Sequence, residues 1–132
     1  MSKNYLKKII ANSAGDLKYI SACCYQAKVS NIKFLRNNKI FLISLERYNI
    51  ESNEKKRKIN SVIKCEYVSA VKSKNINQED PDLILELITI DVFKKKNDYN
   101  IVFLFSNNEI LNLTVEIIEI TLETLETLED IK

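Results

Sequence analysis

The sequence predicts an α+β fold: one N-terminal helix packed on a mainly antiparallel β-roll or partly open barrel of about six strands. Three observations predict it. Apolar residues at spacings of three and four occur over residues 14–26 and then give way to a period of two. Asparagine-containing pairs interrupt the alternating stretches where hairpin turns would fall. The chain has 132 residues, of which 45% are hydrophobic and 29% charged, the size and composition of one globular domain, 1–132.

Residues 5–10 are expected to be a short extended element. Ser13 then offers a hydroxyl to the exposed amides of a helix start, and Asp16, three residues on, can return a bond and favour the positive end of the helix dipole. Leu17, Ile20, Cys24 and Ala27 fall on one face of the helix that follows. Beyond it, Ile32 and Phe34 alternate with Asn31 and Lys33, and Phe41, Ile43 and Leu45 alternate with Leu42, Ser44 and Glu46. Asn37-Asn38 lies between these stretches, and Asn97-Asp98 and Asn107-Asn108 lie between later ones. Asparagine tolerates positive φ best after glycine, and the chain has a single glycine.

Residues 59–74 alternate, with Ile63, Cys65, Tyr67 and Val71 on one face. Residues 83–93 and 101–105 are apolar on both faces, as central strands covered on two sides would be. Leu111, Leu113, Val115 and Ile117 continue the alternation, which slips phase at Ile117-Ile118, a β-bulge signature. Residues 118–131 fit either a strand or a closing helix. The repeated threonines favour a strand through Leu122 and an acidic tail over 123–132. Such a sheet, in meander order, must curl to bury its apolar face, as in pleckstrin-homology-like rolls.

Several function classes are excluded. Without histidine, His-based metal sites and His general bases are impossible. With one glycine, a nucleophile elbow, P-loop or dinucleotide fingerprint cannot be built. Three cysteines, two of them adjacent at Cys23-Cys24, form neither a zinc pattern nor a disulfide framework, and Cys65 reads as a small buried thiol. No cofactor or metal is implied. Asn75, Asn77, Glu79 and Glu86 have calcium-loop spacing, but Asp80 stands where that loop needs glycine. The longest apolar run, residues 101–105, is far below the roughly 18 residues of a membrane span. The N-terminal residues lack the apolar stretch of a secretory signal, so a cytoplasmic location is expected.

The formal net charge of +2 hides a lopsided chain, +11 over residues 1–76 and −9 over residues 77–132. The halves can attract one another in the fold, or the basic half can face a polyanion. Candidate ligand-binding residues are accordingly Arg47, Arg57, Lys72 and Lys74. Strict alternation puts Arg47 on the inward face with Phe41, Ile43 and Leu45, where a guanidinium must meet a carboxylate, escape at the strand end, or line an anion-binding mouth. Lys55-Lys56-Arg57-Lys58, with Tyr48 and Tyr67 nearby, could form a nucleic-acid patch, although no recognised nucleic-acid-binding motif accompanies it.

Asp16-Leu17 with Ile20-Ser21-Ala22 and Gln26-Ala27 is followed in order by three further stretches. These are Leu45 with Arg47-Tyr48, then Ala70-Val71-Lys72-Ser73-Lys74 with Ile76, then Leu113, Val115 and Ile117-Ile118-Glu119. This series resembles a small alphaproteobacterial family, domain of unknown function 2948, over nearly the whole chain. The resemblance implies one domain and no assigned activity. The chain departs from the family's pattern in using lysine where relatives tend to have arginine, and in lacking tryptophan. The function expected is a non-enzymatic binding or protein-interaction module. Alternatives are a polyanion or nucleic-acid binder through residues 55–74 and a small-anion domain centred on Arg47. A protein partner is expected, membrane association is not, and a homodimer could form through exposed sheet edges.

Overall fold

The computed structural model describes residues 4–48, 58–77 and 79–127. Its elements are β1 (Asn4–Ala11), α1 (Ala14–Cys23), β2 (Lys28–Leu35), β3 (Ile40–Tyr48), β4 (Lys58–Cys65), β5 (Val68–Lys74), β6 (Leu85–Lys94), β7 (Tyr99–Phe105), β8 (Ile110–Val115) and β9 (Ile120–Thr127). All strand pairs are antiparallel, and the order across the sheet is β1-β9-β4-β3-β2-β6-β7-β8-β5. The fold is therefore a mostly antiparallel sheet with one N-terminal helix, but it has nine strands among the described residues rather than about six. The simple meander is also corrected, because β5 leaves β4 to pair with β8, and β9 pairs with β4 and β1.

The extra strands come from breaking two stretches that read as continuous. Tyr67 takes positive φ (58°) between β4 and β5, and residues 116–119 separate β8 from β9. The two breaks sit side by side. The Glu66 N–H donates to the Glu119 carbonyl at 3.0 Å, and the Glu116 N–H donates to the Tyr67 carbonyl at 3.1 Å. Cys65 pairs with Ile120 before the bend and Val68 with Val115 after it. One long two-stranded ribbon thus bends as a unit, carrying β4–β9 into one half of the sheet and β5–β8 into the other. The phase slip at Ile117-Ile118 marks this bend instead of a bulge within one strand.

The helix begins as expected. Ser13 Oγ accepts from the Asp16 amide at 3.2 Å, while the Asp16 carboxylate accepts from the Asn12 amide at 3.3 Å. It ends at Cys23, three residues before the periodicity does, because Gln26 adopts φ 64° and its N–H donates to the Leu87 carbonyl at 2.7 Å. Leu87 in turn donates to the Ala27 carbonyl at 2.9 Å, so β6 captures the chain and starts β2. Leu17, Ile20, Cys24 and Ala27 are all buried nonetheless. The helix packs on β6 and β1 and is tied to β6 by Ser21 Oγ, which accepts from the Ile90 amide at 3.0 Å.

The core lies between the inner faces of the two halves. Phe41, Ile43, Leu45, Ile63, Cys65, Ile120 and Leu122 come from one half, and Leu87, Ile101, Phe103, Phe105, Leu111 and Leu113 from the other. Burying each such side chain contributes about 1.5–3 kcal/mol. Residues 123–127, expected to open the tail, instead continue β9 against β1. Two ion pairs, the partly exposed Lys8–Glu123 at 3.5 Å and the exposed Lys39–Glu116 at 2.7 Å, join the basic and acidic parts of the chain.

Candidate functional site

Of the sequence-predicted residues, Arg47 occupies the most constrained position. It ends the inward row of β3 and is only 2% exposed. Its Nε donates to Ser61 Oγ at 3.0 Å on β4, Nη2 to Thr124 Oγ1 at 3.1 Å on β9, and Nη1 to the Tyr48 carbonyl at 3.3 Å. The two hydroxyls bond each other at 2.7 Å. The guanidinium thus fastens three adjacent strands at one pole of the core. A recess of about 180 Å³ opens beside it, lined by Gln26, Lys28, Glu46, Arg47, Tyr48, Lys58 and Glu86. Two carboxylates among these residues partly offset the cations there.

Lys72 and Lys74 are exposed on the edge strand β5. Lys58 lies in the other half of the sheet, 3.8 Å from Glu46 and with its ammonium 5.7 Å from the Tyr48 ring centre. Arg57, with Lys55 and Lys56, lies outside the described residues. The described basic residues of the 55–74 region are therefore divided between two half-sheets rather than gathered on one face. No group of three or more cysteine, aspartate or glutamate side chains able to hold a metal ion occurs among the described residues.

A larger concavity, about 640 Å³, lies between β2 and β5. This is the size of ordinary ligand pockets, about 300–1,000 Å³. It exists because β2 pairs with β6 only at Lys28↔Glu86 and Val29↔Leu85, after which the two diverge. The other wall is β5, which among the described residues pairs only with β8. The cleft is pinned at one end by the Val68 N–H, which donates to the Lys39 carbonyl at 2.8 Å, and at the other by the short β2–β6 ladder.

Ile32 and Phe34 of β2 face Val71 and Ser73 of β5 across it. Phe41, Leu85 and Leu111 of the core form part of the floor, and Ile76 and Leu83 of the β5–β6 connection complete the lining. Arg36 and Asp80 are its titratable residues. The Arg36 guanidinium lies 5.3 Å from the Phe34 ring centre, and Phe34 packs on Phe41 at 6.1 Å with a 54° tilt. Sequence reading missed this site because its residues come from separate stretches. The available signal was Ile76 and Leu83, apolar side chains in a mainly polar connection that also holds the exposed Ile84.

Two carboxylates meet at the ribbon bend. Hydrogen bonding to Glu66 and repulsion from its charge hold the Glu119 carboxyl above its ordinary range, against a smaller lowering by Lys64. Burial pushes the Cys65 thiol up, out of the range of a reactive thiolate.

No helix among the described residues is long and apolar enough to cross a membrane. A family model described as "Protein of unknown function (DUF2948)" matches residues 7–130. Among solved structures, the chain is similar to an uncharacterized protein from Neisseria gonorrhoeae, with 16% identity, 97% of each chain covered and a TM-score of 0.46. No curated protein matches.

Proposed function

Since the chain belongs to the DUF2948 family, a family of unknown function, we propose on physical grounds that it is a non-enzymatic binding module whose site is the cleft between β2 and β5. The observation that carries this reading is a concavity floored by core side chains and flanked by β2 over residues 30–35 and by β5, each without a strand neighbour on its cleft side among the described residues. A binding role is favoured over catalysis by the lining itself, which is mainly aliphatic, aromatic and hydroxyl-bearing. Arg36 and Asp80 supply its charge and Ser30 and Ser73 its hydroxyls, with no cysteine or lysine among the lining residues.

A photoreactive phenylalanine analogue placed at Phe34 tests the reading in living cells. Cross-linking to a discrete partner is expected at this position and not at Phe93, which is exposed elsewhere on the sheet. Arg36→Glu should remove the adduct. Equal cross-linking at both positions, or none at Phe34, would defeat the proposal.

A further inference from the structure

We infer that the cleft takes up an extended acidic peptide segment as an added β-strand, an inference that rests on the binding reading above. Three independent features select this occupant. The first is the backbone. Among the described residues, no strand pairs with β2 over residues 30–35 on its cleft side, and none pairs with the outer edge of β5. Exposed strand edges present rows of amide donors and carbonyl acceptors that another extended chain can satisfy. Six residues of β2 span about 20 Å at ~3.3 Å per residue, enough for a five- or six-residue segment.

The second feature is the side-chain period. Past the irregularity at residues 29–31, Ile32 and Phe34 of β2 are half-buried alternate residues lining the cleft, with exposed Lys33 between them. Half-buried Val71 and exposed Ser73 line the β5 wall, with Lys72 and Lys74 exposed beside them. A guest strand meets the same alternation, with apolar side chains inward and polar ones outward. The third is charge. Neither β2 nor β5 contains a carboxylate; along the unpaired stretches they carry Lys33, Lys72 and Lys74, with Arg36 at the rim. A second copy offering its own β5 would bring lysines against lysines, which is destabilising, whereas an acidic strand meets opposite charge. Asp80 at the rim sets a polarity, placing the guest's acidic residues towards Arg36.

The test uses the full chain, isotope-labelled, titrated with blocked Glu-Val-Glu-Val-Glu-Val, its Lys-for-Glu counterpart, an analogue N-methylated at alternate residues, and dodecanoate as a small amphipathic anion. The acidic peptide should shift the amides of Ile32, Phe34, Val71 and Ser73 and bind at least about tenfold tighter than the lysine peptide at low salt. N-methylation should weaken binding by about tenfold or more, because it removes backbone donors and leaves the side chains in place. The doubly substituted Lys72→Glu/Lys74→Glu chain, altered only at exposed positions, should lose or reverse the charge preference.

Shifts from dodecanoate but from no peptide would overturn strand addition while leaving the cleft as a binding site. Silence from all four probes at these amides would overturn both. Equal binding of the two charged peptides, indifference to N-methylation, or self-association blocked by Lys72→Glu/Lys74→Glu would each overturn the proposed occupant.

Discussion

Thr124→Val probes the polar clasp at the pole of the core. The substitution keeps the shape of a side chain that is 1% exposed and removes its hydroxyl. Two contacts go with it: the charge-assisted bond from Arg47 Nη2 at 3.1 Å and the bond to Ser61 Oγ at 2.7 Å. A hydrogen bond to a charged group contributes about 1.5–3 kcal/mol and a neutral one about 1 kcal/mol, while the added methyl returns roughly 0.8 kcal/mol through burial. The expected loss is about 2–3 kcal/mol. Unfolding entropy near 2 cal/mol/K per residue turns this into a fall in Tm of about 7–11 °C for a chain of this length. Circular dichroism melts of Thr124→Val, Ser61→Ala and the double variant measure it. The cycle should also give a coupling of at least about 0.5 kcal/mol, because the two hydroxyls bond each other and accept from different nitrogens of one guanidinium. A Tm within about 2 °C of the parent would refute the clasp, since so small a change fits only a solvated guanidinium.

Three further outcomes follow from individual residues. Glu119 has its carboxyl raised by Glu66, so the folded state holds its proton to higher pH than the unfolded chain does. Stability should therefore fall as pH rises through that raised value, and Glu119→Gln should flatten this part of a pH series of denaturant melts; an unchanged slope would contradict it. Glu109 is 4% exposed and its Oε1 meets no donor among the described residues. Relieving that desolvation, Glu109→Leu should raise stability by about 1–2 kcal/mol in urea titrations, and a loss would show that the carboxylate has a donor in solution. Lys39 sits at φ 56°, where a side chain is strained, and its exposed bond to Glu116 is worth little. Lys39→Gly should then stabilise by about 0.5–1 kcal/mol, measured the same way.

Much of the architecture was legible because local pattern and burial agree. Ser13 caps the helix, Phe41, Ile43 and Leu45 point inward, and Asn107 and Asn108 take positive φ at the expected hairpin. The first hairpin also forms, but there the left-handed residue is Lys39, just past a 3-10 turn at Arg36–Asn38. The strand count was not legible. No glycine or proline marks Tyr67, and the bend becomes explicable only once the Glu116–Glu119 segment lies beside it. The inward phase of Arg47 could be read from alternation, whereas its hydroxyl partners stand 14 and 77 residues away. The cleft was invisible for a related reason: it is defined by where β2 and β6 stop pairing, a property of the tertiary path and not of any one segment.

The open state of that cleft is tested most directly by residue-resolved amide exchange on the unliganded chain. Alternate amides within residues 30–35 and 69–74 should exchange near solvent rates, while those of Ile43 on β3 and Phe103 on β7, each strand paired on both sides, should exchange only through global unfolding. Continuous protection along both β2 and β5 would mean that the two edges already have partners, and the cleft would be no site for binding.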